Sequence, residues 1–556
     1  MVFRSPHPAL KIPQTHILDF LFPSGDTPWK RPIWIDATDS ANSLTLKDCL
    51  DCIRRLGLGL QNRGVEENDV AVLFTPNHIF VPVAYLGFIA AGAVFSGVDP
   101  ESSLTDVVER FQLLDPKFIF VHPSLLKTAV AAVNQAGLSE DRLYVFSDSP
   151  GTAAEEFNSW RSILATEEEA ASWRWKPVSA DEAESTTAVV NFTSGTTTQP
   201  KGVQLTHQNL IASSLQLRDG TDIMFGDRLL ALLPLSQAYE QVLNIILAIK
   251  LRLVVYILPS FALPTALSTI QRYRITKLHL SPYILESLVT AREVAGHELR
   301  SVDVILCTGP PLKMGVQNAA ERRFGLVILQ GWGMSEITTA GIFPCLEDDI
   351  AGRKSLGLRG SVGRLLPNTE ALLIDQNGNE VSIPGALGEI WIRGPQVMSC
   401  YWRDEQVPED SLAAEGGWFM TGDIATVNRD GYFWIIDRKD ELIRVDDVLV
   451  SPAELEMVLQ EHPRVADVAV VGMEMHEEVF LRAYIVPKPA MNGYPVTEQL
   501  IQDWMRRRVT KNKQLRGGVA FVKNLPRLSN GGLARRVVRE WAREDGEILE
   551  RRVAKL

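Results

Sequence analysis

The segment Thr193-Ser194-Gly195-Thr196-Thr197-Thr198-Gln199-Pro200-Lys201-Gly202 carries the residue types with the most chemistry in this 556-residue chain. It begins two residues after the apolar run Ala188-Val189-Val190, so small hydroxyl residues, a glycine and a lysine follow a strand into a loop. Backbone N–H groups, hydroxyl donors and a point charge arranged this way wrap a polyphosphate. Pro200 stands where a Walker A loop needs its second glycine, so the loop is of another kind. The same composition also suits a Ser/Thr-rich surface loop, and only residue order separates the two readings. Cys49 and Cys52 form a C-x-x-C, but Leu46, Leu50, Ile53 and Leu56 repeat around them with helical spacing and no second pair completes a zinc site. Cys307 ends an apolar run without a partnering base and reads as a buried strand residue.

Up to about Pro395 the elements that must position this loop alternate between amphipathic helical stretches and short apolar runs. Lys117 to Val121, Leu229 to Leu233 and Leu253 to Ile257 are such runs, and Asp115-Pro116 is a turn into the first. Alternation of this kind predicts parallel sheets covered by helices in one large unit. A charged stretch follows, Asp437, Arg438, Lys439, Asp440 and Glu441, and then a compact α+β pattern. The fold class is therefore α/β: a large N-terminal domain of helix-covered sheets over 1–436, and a small α+β C-terminal domain over 437–556 across a hinge. Ser451, Pro452 and Glu454 predict a capping box at the first small-domain helix, with Leu455, Val458 and Leu459 facing inward. Strands are expected at Val468 to Val471 and Leu481 to Val486. The basic run Arg506, Arg507, Arg508, Lys511, Lys513 and Arg516 could meet a polyphosphate, and is more commonly a solvated helix end.

Composition narrows the function classes. Hydrophobic residues are 46% and charged residues 22%, which excludes a disordered or collagen-like chain. A net charge of −12 gives no global attraction to nucleic acid or to an anionic membrane face. Five cysteines in this length are no disulfide framework, and no leader pattern opens the chain, which points to a reducing, intracellular compartment. Ile79 to Val98 is uncharged over about the length of a membrane span, ~20 residues, but Pro82, Gly87, Gly92 and Gly97 favour a loop, a buried helix and a strand following the strand Val70 to Phe74. The ending Ala554-Lys555-Leu556 is of the type read by a peroxisomal import receptor, so a peroxisomal location is expected, and otherwise a cytoplasmic one.

The phosphate loop, taken with five further segments in order, resembles the adenylate-forming superfamily of acyl-CoA synthetases, peptide-synthetase adenylation domains and luciferases, nearest its coumarate-CoA ligase-like branch. Asn77 with Ala91-Gly92-Ala93-Val94 is similar to the family's early core. Gln330-Gly331-Trp332-Gly333-Met334-Ser335-Glu336 is similar to its adenine and magnesium segment, and Thr421-Gly422-Asp423 to its ribose segment. Asp437-Arg438 resembles the hinge entrance, with Asp440 at the hinge, and Ser451 to Glu456 the first helix beyond it. The resemblance implies that a carboxylate attacks the α-phosphorus of ATP, giving an acyl-adenylate and pyrophosphate. It assigns the β and γ phosphates to Thr193, Ser194, Gly195, Thr196, Thr197 and Lys201. Glu336 would hold Mg²⁺, Trp332 would flank adenine between Gly331, Gly333 and Met334, and Ser335 would donate to the α-phosphate. Asp423 would accept from the ribose hydroxyls and Arg438 would reach ribose or phosphate. Lys201, Glu336 and Arg438 are the implied catalytic residues. Gln237, Tyr239, Gly309, Pro310 and Gly331 are the implied acyl pocket for a small or medium organic acid.

The chain departs from the family at defined points. Ser236-Gln237 stands where the family has Phe-His, and Glu240 where it has glycine. A buried glutamate or glutamine there would favour a polar or amine-bearing acid. Pro526-Arg527-Leu528-Ser529-Asn530-Gly531-Gly532 replaces the family's Pro-Lys-Ser-x-x-Gly-Lys, so Gly532 takes the place of the adenylation lysine, with Arg527, Lys523 and Arg535 nearby. Asp446-Asp447 replaces the Lys-Gly of the loop presented to coenzyme A, the default acceptor. The expectation is an ATP- and Mg²⁺-dependent acyl-activating ligase. A repurposed pocket catalysing condensation, isomerisation or hydrolysis, and a non-catalytic homologue, are the alternatives.

Overall fold

Runs of apolar and β-branched residues become the buried strands expected of them, and their connections follow the glycines and capping residues around them. The computed structural model describes the chain outside residues 26–28, 148–155, 194–200, 345–357, 359, 404–415, 447, 476–477, 489–494, 528–531 and 554–556, and without the side chains of 551–553. Val70–Phe74 and Val94–Val98 are parallel neighbours, joined through the helix Val81–Ala91, all of whose residues are buried. Gly92, at φ +90°, ends that helix in the left-handed region where a Cβ is disfavoured. The uncharged run Ile79–Val98 is thus core, and no helix among the described residues is long and apolar enough to cross a membrane. Asp115, at φ +46°, closes the helix Leu104–Leu114 and hands the chain to the strand Phe118–Val121. Cys49 and Cys52 lie in the helix Leu46–Gln61 as free thiols, and burial raises the pKa of both.

Two large sheets form from these units among the described residues. One runs Gly202–Thr206, Thr187–Phe192, Val94–Val98, Val70–Phe74, Phe118–Val121, Leu143–Val145 and Asn158–Ser159, parallel except for its first pair. The other runs Val327–Gln330, Val304–Cys307, Lys277–Leu280, Arg228–Ala231, Val254–Ile257, Pro32–Asp36 and Ser43–Thr45, parallel except for its last pair. A third sheet departs from the expected parallel pattern. Phe3–Arg4, Glu370–Ile374, Gly388–Arg393, Phe419–Val427 and Phe433–Arg438 pair antiparallel throughout. Its last four strands follow one another in sequence with no helix between them among the described residues, and Phe419–Val427 alternates buried and half-buried residues, as a one-sided antiparallel strand does.

Beyond Arg438 the chain forms the hairpin Ile443–Val445 with Val448–Val450, then a sheet of Val465–Met475, Glu478–Pro487 and Val519–Phe521. The helix Pro452–Gln460 buries Leu455 and Leu459 there, with Val458 packed beside them. Only half of the expected capping box forms. Ser451 accepts from the Glu454 N–H at 3.1 Å, but the Glu454 carboxylate is taken by Lys513 at 2.6 and 2.7 Å, because a free ammonium lies within its reach. The basic run is engaged in the same local manner: Arg506 pairs with Asp503, Arg508 covers the Trp504 ring, and Arg516 pairs with Asp446.

The N-terminal helix Ile17–Leu21 docks through two buried imidazoles. His16 accepts from the Leu18 N–H and His207 from the Ile17 N–H, with the rings 4.2 Å apart. Burial, then the neighbouring His207, drives the His16 pKa far down, and burial lowers that of His207 to about 4. Both are neutral in the folded state and take a proton more readily when unfolded. Unfolding free energy is therefore expected to fall as pH drops from about 6.5 towards about 4, by up to ~1.4 kcal/mol per pH unit for each histidine. Urea denaturation across that range measures it. A His207→Gln variant should show a shallower slope, and an unchanged slope would remove this pair as the cause.

Candidate active site

Those implied nucleotide residues that the structure describes come together. Strand Thr187–Phe192 and strand Gly202–Thr206 pair antiparallel, and their ends hold Thr193 to Lys201: the Thr193 N–H donates to the Lys201 carbonyl at 3.1 Å. Ser194, Gly195, Thr196, Thr197 and Thr198 lie outside the described residues. The Lys201 ammonium sits 4.9 Å from the centre of the Tyr401 ring, and the Tyr401 hydroxyl donates to Glu336 Oε1 at 3.0 Å. Tyr401 is held there by a bridge to Val203 and by Trp402, whose N–H donates to the Gly202 carbonyl at 2.6 Å. Tyr401 is a site residue that sequence reasoning missed, since it stands alone in Ser399-Cys400-Tyr401-Trp402 with no pattern around it.

The segment Gly331 to Glu336 follows the strand Val327–Gln330. Gly331 is required by packing, since a Cβ would lie 2.3 Å from the Phe343 ring, and at Gly333 it would lie 1.8 Å from the Thr339 carbonyl oxygen. Met334 caps the short turn Ser335–Ile337, with Met334 and Ser335 both half-buried. Thr338 then adopts φ +63°, a strained conformation for a β-branched residue and one that collects at functional sites. Trp332 is 6% exposed, and its indole N–H donates to Asp423 Oδ2 at 2.7 Å. Trp332 therefore ties the adenine and ribose segments together directly, a contact that sequence reasoning did not foresee.

Asp423 and Arg438 face each other across paired strands, and Arg438 Nε lies 3.8 Å from Asp423 Oδ1 and 3.2 Å from Asp440 Oδ1. Gly422, at φ +73°, lets the guanidinium come close, since a Cβ there would be 3.3 Å from it. Burial pushes the Asp423 carboxyl up to about 6, against the opposing pull of Arg438 and Trp332. Burial also raises the Glu336 pKa, opposed in part by the Tyr401 bond and by Arg438 and Lys201. Lys201, Glu336, Asp423 and Arg438 thus share one electrostatic neighbourhood. Among the described residues no group of three or more His, Cys, Asp or Glu side chains is placed to hold a metal ion.

The implied acyl pocket lies at the carboxyl ends of the neighbouring parallel strands, where α/β sheets present ligand sites. Asn77 fixes the segment after Leu233 by accepting from the Leu235 N–H at 2.8 Å and donating to the Leu233 carbonyl at 2.9 Å. Gln241, paired with Asn191, donates to the Ser236 carbonyl at 2.9 Å. Gln237 is half-buried and precedes the turn of helix Ala238–Gln241, and Tyr239 is buried. A π-helix, Val242–Leu247, follows, a form concentrated at functional sites. Gly309, at φ +96° with nothing in the direction of a Cβ, and half-buried Pro310 follow the strand Val304–Cys307. Cys307 is buried and its thiol is pushed up to about 12 by burial, which fits a core residue. The expected amine preference through Glu240 meets an obstacle: this carboxylate is 1% exposed and is already committed to His279 and Asn244.

The departures beyond the hinge have local partners. Asp440 follows Arg438, and its carbonyl accepts from Arg539 at 3.2 Å. Asp446, at φ +47° in the hairpin turn, pairs with Arg516. Asp447 and Leu528 to Gly531 lie outside the described residues, as do Ala554, Lys555 and Leu556. Gly532 is buried. Arg535 is held by Glu441 and Glu456, and Arg527 by Asp467, while Lys523 is exposed.

The AMP-binding enzyme family matches residues 25–402, and the AMP-binding enzyme C-terminal domain matches residues 454–531. The phenylacetyl-CoA ligase epaB of Aspergillus niger is 29% identical over 542 residues, covering 96% of this chain and 98% of that protein. The peroxisomal OPC-8:0-CoA ligase 1 of Arabidopsis thaliana is 28% identical over 544 residues, covering 96% and 94%. The ATP-bound crystal structure of MatB from Rhodopseudomonas palustris has the same fold, with a TM-score of 0.81 at 23% identity over 96% of this chain and 99% of that one. A family match over most of the chain, with the same two-part fold, makes this protein a member of the AMP-binding, adenylate-forming enzyme family.

Proposed function

We propose that this enzyme uses ATP to convert a small or medium organic acid into its acyl-adenylate and then passes the acyl group to coenzyme A. The observation that carries the reading is the joining of four distant segments around two carboxylates. Trp332 and Arg438 converge on Asp423, Tyr401 bonds Glu336, and Lys201 lies over the Tyr401 ring. In this reading Thr193, Lys201 and the loop between them take the β and γ phosphates. Asp423 accepts from the ribose hydroxyls, its second oxygen already fixed by Trp332. Arg438 meets ribose or phosphate, Ser335 donates to the α-phosphate, and Gly331, Gly333 and Met334 frame the base. Gln237, Tyr239, Gly309, Pro310 and Gly331 border the acid.

The residues present fit Mg²⁺ as the accompanying cation. Glu336 offers a hard, buried oxygen donor, and a single protein carboxylate suits an ion that keeps waters and substrate phosphates as its other ligands. When bound, Mg²⁺ offsets phosphate charge as the carboxylate approaches. Lys201 adds positive charge on the same side, and the buried setting strengthens each of these interactions.

The division of labour places a large unit over 1–436 and a mobile small unit over 437–556, with Asp440 at the hinge. Coenzyme A is the acceptor because the relatives named above are CoA ligases. A peroxisomal location, through Ala554-Lys555-Leu556 and the import receptor, is supported by that ending and by the peroxisomal relative. A role in secondary metabolism fits the same reading.

Pyrophosphate release with a panel of acids tests the function. Glu336→Ala should slow it by about two orders of magnitude or more, and a variant as fast as wild type would contradict the mechanism. Gly532→Lys should speed it by roughly 10²-fold, because a charged donor is restored opposite developing charge. No gain in that variant would contradict this reading and favour a pocket that has changed purpose.

A further inference from the structure

The acyl-pocket segment contains a buried polar chain that the nucleotide chemistry does not use. Glu240 Oε1 meets Nδ1 of His279, and its Oε2 accepts from the Asn244 side-chain amide. Both partners are needed, since a buried carboxylate is costly unless its oxygens are satisfied. His279 lies in the strand Lys277–Leu280 and is 5% exposed. Its other ring nitrogen, Nε2, is 2.7 Å from Oγ1 of Thr308. Thr308 is the first residue beyond the adjacent strand Val304–Cys307, is half-buried, and adjoins Gly309, which borders open space. The chain of contacts therefore runs from the interior to a half-buried hydroxyl beside the open space at Gly309. Tyr239 stacks on the His279 ring with centroids 4.1 Å apart, and its buried hydroxyl has no hydrogen-bond partner among the described residues.

We propose that Glu240, His279 and Thr308 form a specificity relay in which the Thr308 hydroxyl recognises a hydroxyl group on the acyl substrate, so that the enzyme selects a hydroxylated acid. Thr308 is the group that meets substrate, and His279 and Glu240 are positioning residues. The inference rests on the acyl-activation reading for the place of the pocket. Glu240 fixes the ring, and the ring fixes the threonine hydroxyl. If His279 carries hydrogen on Nδ1 alone, Thr308 donates to Nε2 and offers the pocket only lone pairs. If both nitrogens carry hydrogen, Thr308 accepts from Nε2 and offers its own hydrogen outward. A substrate hydroxyl, both donor and acceptor, satisfies Thr308 in either state, whereas a ketone pairs only in the second. A plain hydrocarbon chain leaves the outward hydrogen-bonding capacity of Thr308 unused, at a cost of about tenfold or more in affinity.

The test uses matched acids: ω-hydroxyoctanoate against octanoate, and para-hydroxyphenylacetate against phenylacetate. Calorimetric binding and pyrophosphate release are measured on wild type, Thr308→Val, Thr308→Ser and Glu240→Gln. Wild type should bind the hydroxylated member of at least one pair about tenfold or more tightly. Thr308→Val should bring that ratio close to one, Thr308→Ser should retain it, and Glu240→Gln should lower it. Equal affinities within both pairs, no binding of either hydroxylated acid, or a ratio that survives Thr308→Val overturns the proposal. A loss shared equally by both members of a pair would make the relay merely structural, which also overturns it. Preferential binding without pyrophosphate release keeps the relay and defeats adenylation, while release without preference does the reverse.

Discussion

Two buried carboxylates, Asp423 and Glu336, set the terms for the rest of this molecule. Each is under 10% exposed, and burial raises the pKa of both. Anions so placed persist only when fixed donors and positive charges surround them. Those donors come from far apart in sequence: Trp332, Tyr401, Arg438 and Lys201. Bringing them together requires the parallel sheet that delivers Gly331 to Glu336, the antiparallel sheet that pairs Asp423 with Arg438, and the strand that holds Lys201 beside Tyr401. The close approaches at Gly331, Gly333 and Gly422 follow from the same demand, because each lets a neighbouring group come nearer than a Cβ permits.

The residues legible in the sequence are those whose identity is imposed by contiguous backbone. The Gly331 to Glu336 segment and Thr421-Gly422-Asp423 each carry their glycines and polar groups within a few positions, so order alone marks them. The buried strands were legible because enclosed strands need unbroken apolar runs. The antiparallel sheet was not, since its strands follow a region of helix–strand alternation and their one-sided burial is a weaker signal. Pairings across the fold were also hidden. Tyr401 reaches Glu336 only because its strand bridge turns it inward, and Glu240, His279 and Thr308 share no sequence spacing. Glu454 had the right position for a capping box, yet a lysine distant in sequence claimed it.

The small unit departs from the family in a way that its own contacts clarify. Arg535 and Arg527 lie close in sequence to Gly532, but their guanidiniums are committed to Glu441 and Glu456 and to Asp467. A charge already held by carboxylates is a poor substitute for a mobile lysine, and an arginine fork differs from an ammonium in shape and hydration. Asp446 is similarly held by Arg516, which offsets part of the repulsion that a bare aspartate would direct at a polyanionic thiol. In the proposed reading the glycine at 532 bears on rate, while the large-unit carboxylates bear on whether nucleotide binds at all.

Calorimetric titration of the purified protein with Mg·ATP, followed by adenosine across a range of pH, tests the nucleotide site most directly. Micromolar binding of Mg·ATP at about pH 7.5 is expected, and adenosine affinity should weaken as pH falls through about 6, because Asp423, the proposed ribose acceptor, gains its proton there. Absence of Mg·ATP binding by correctly folded protein would contradict the assignment of these carboxylates to a nucleotide.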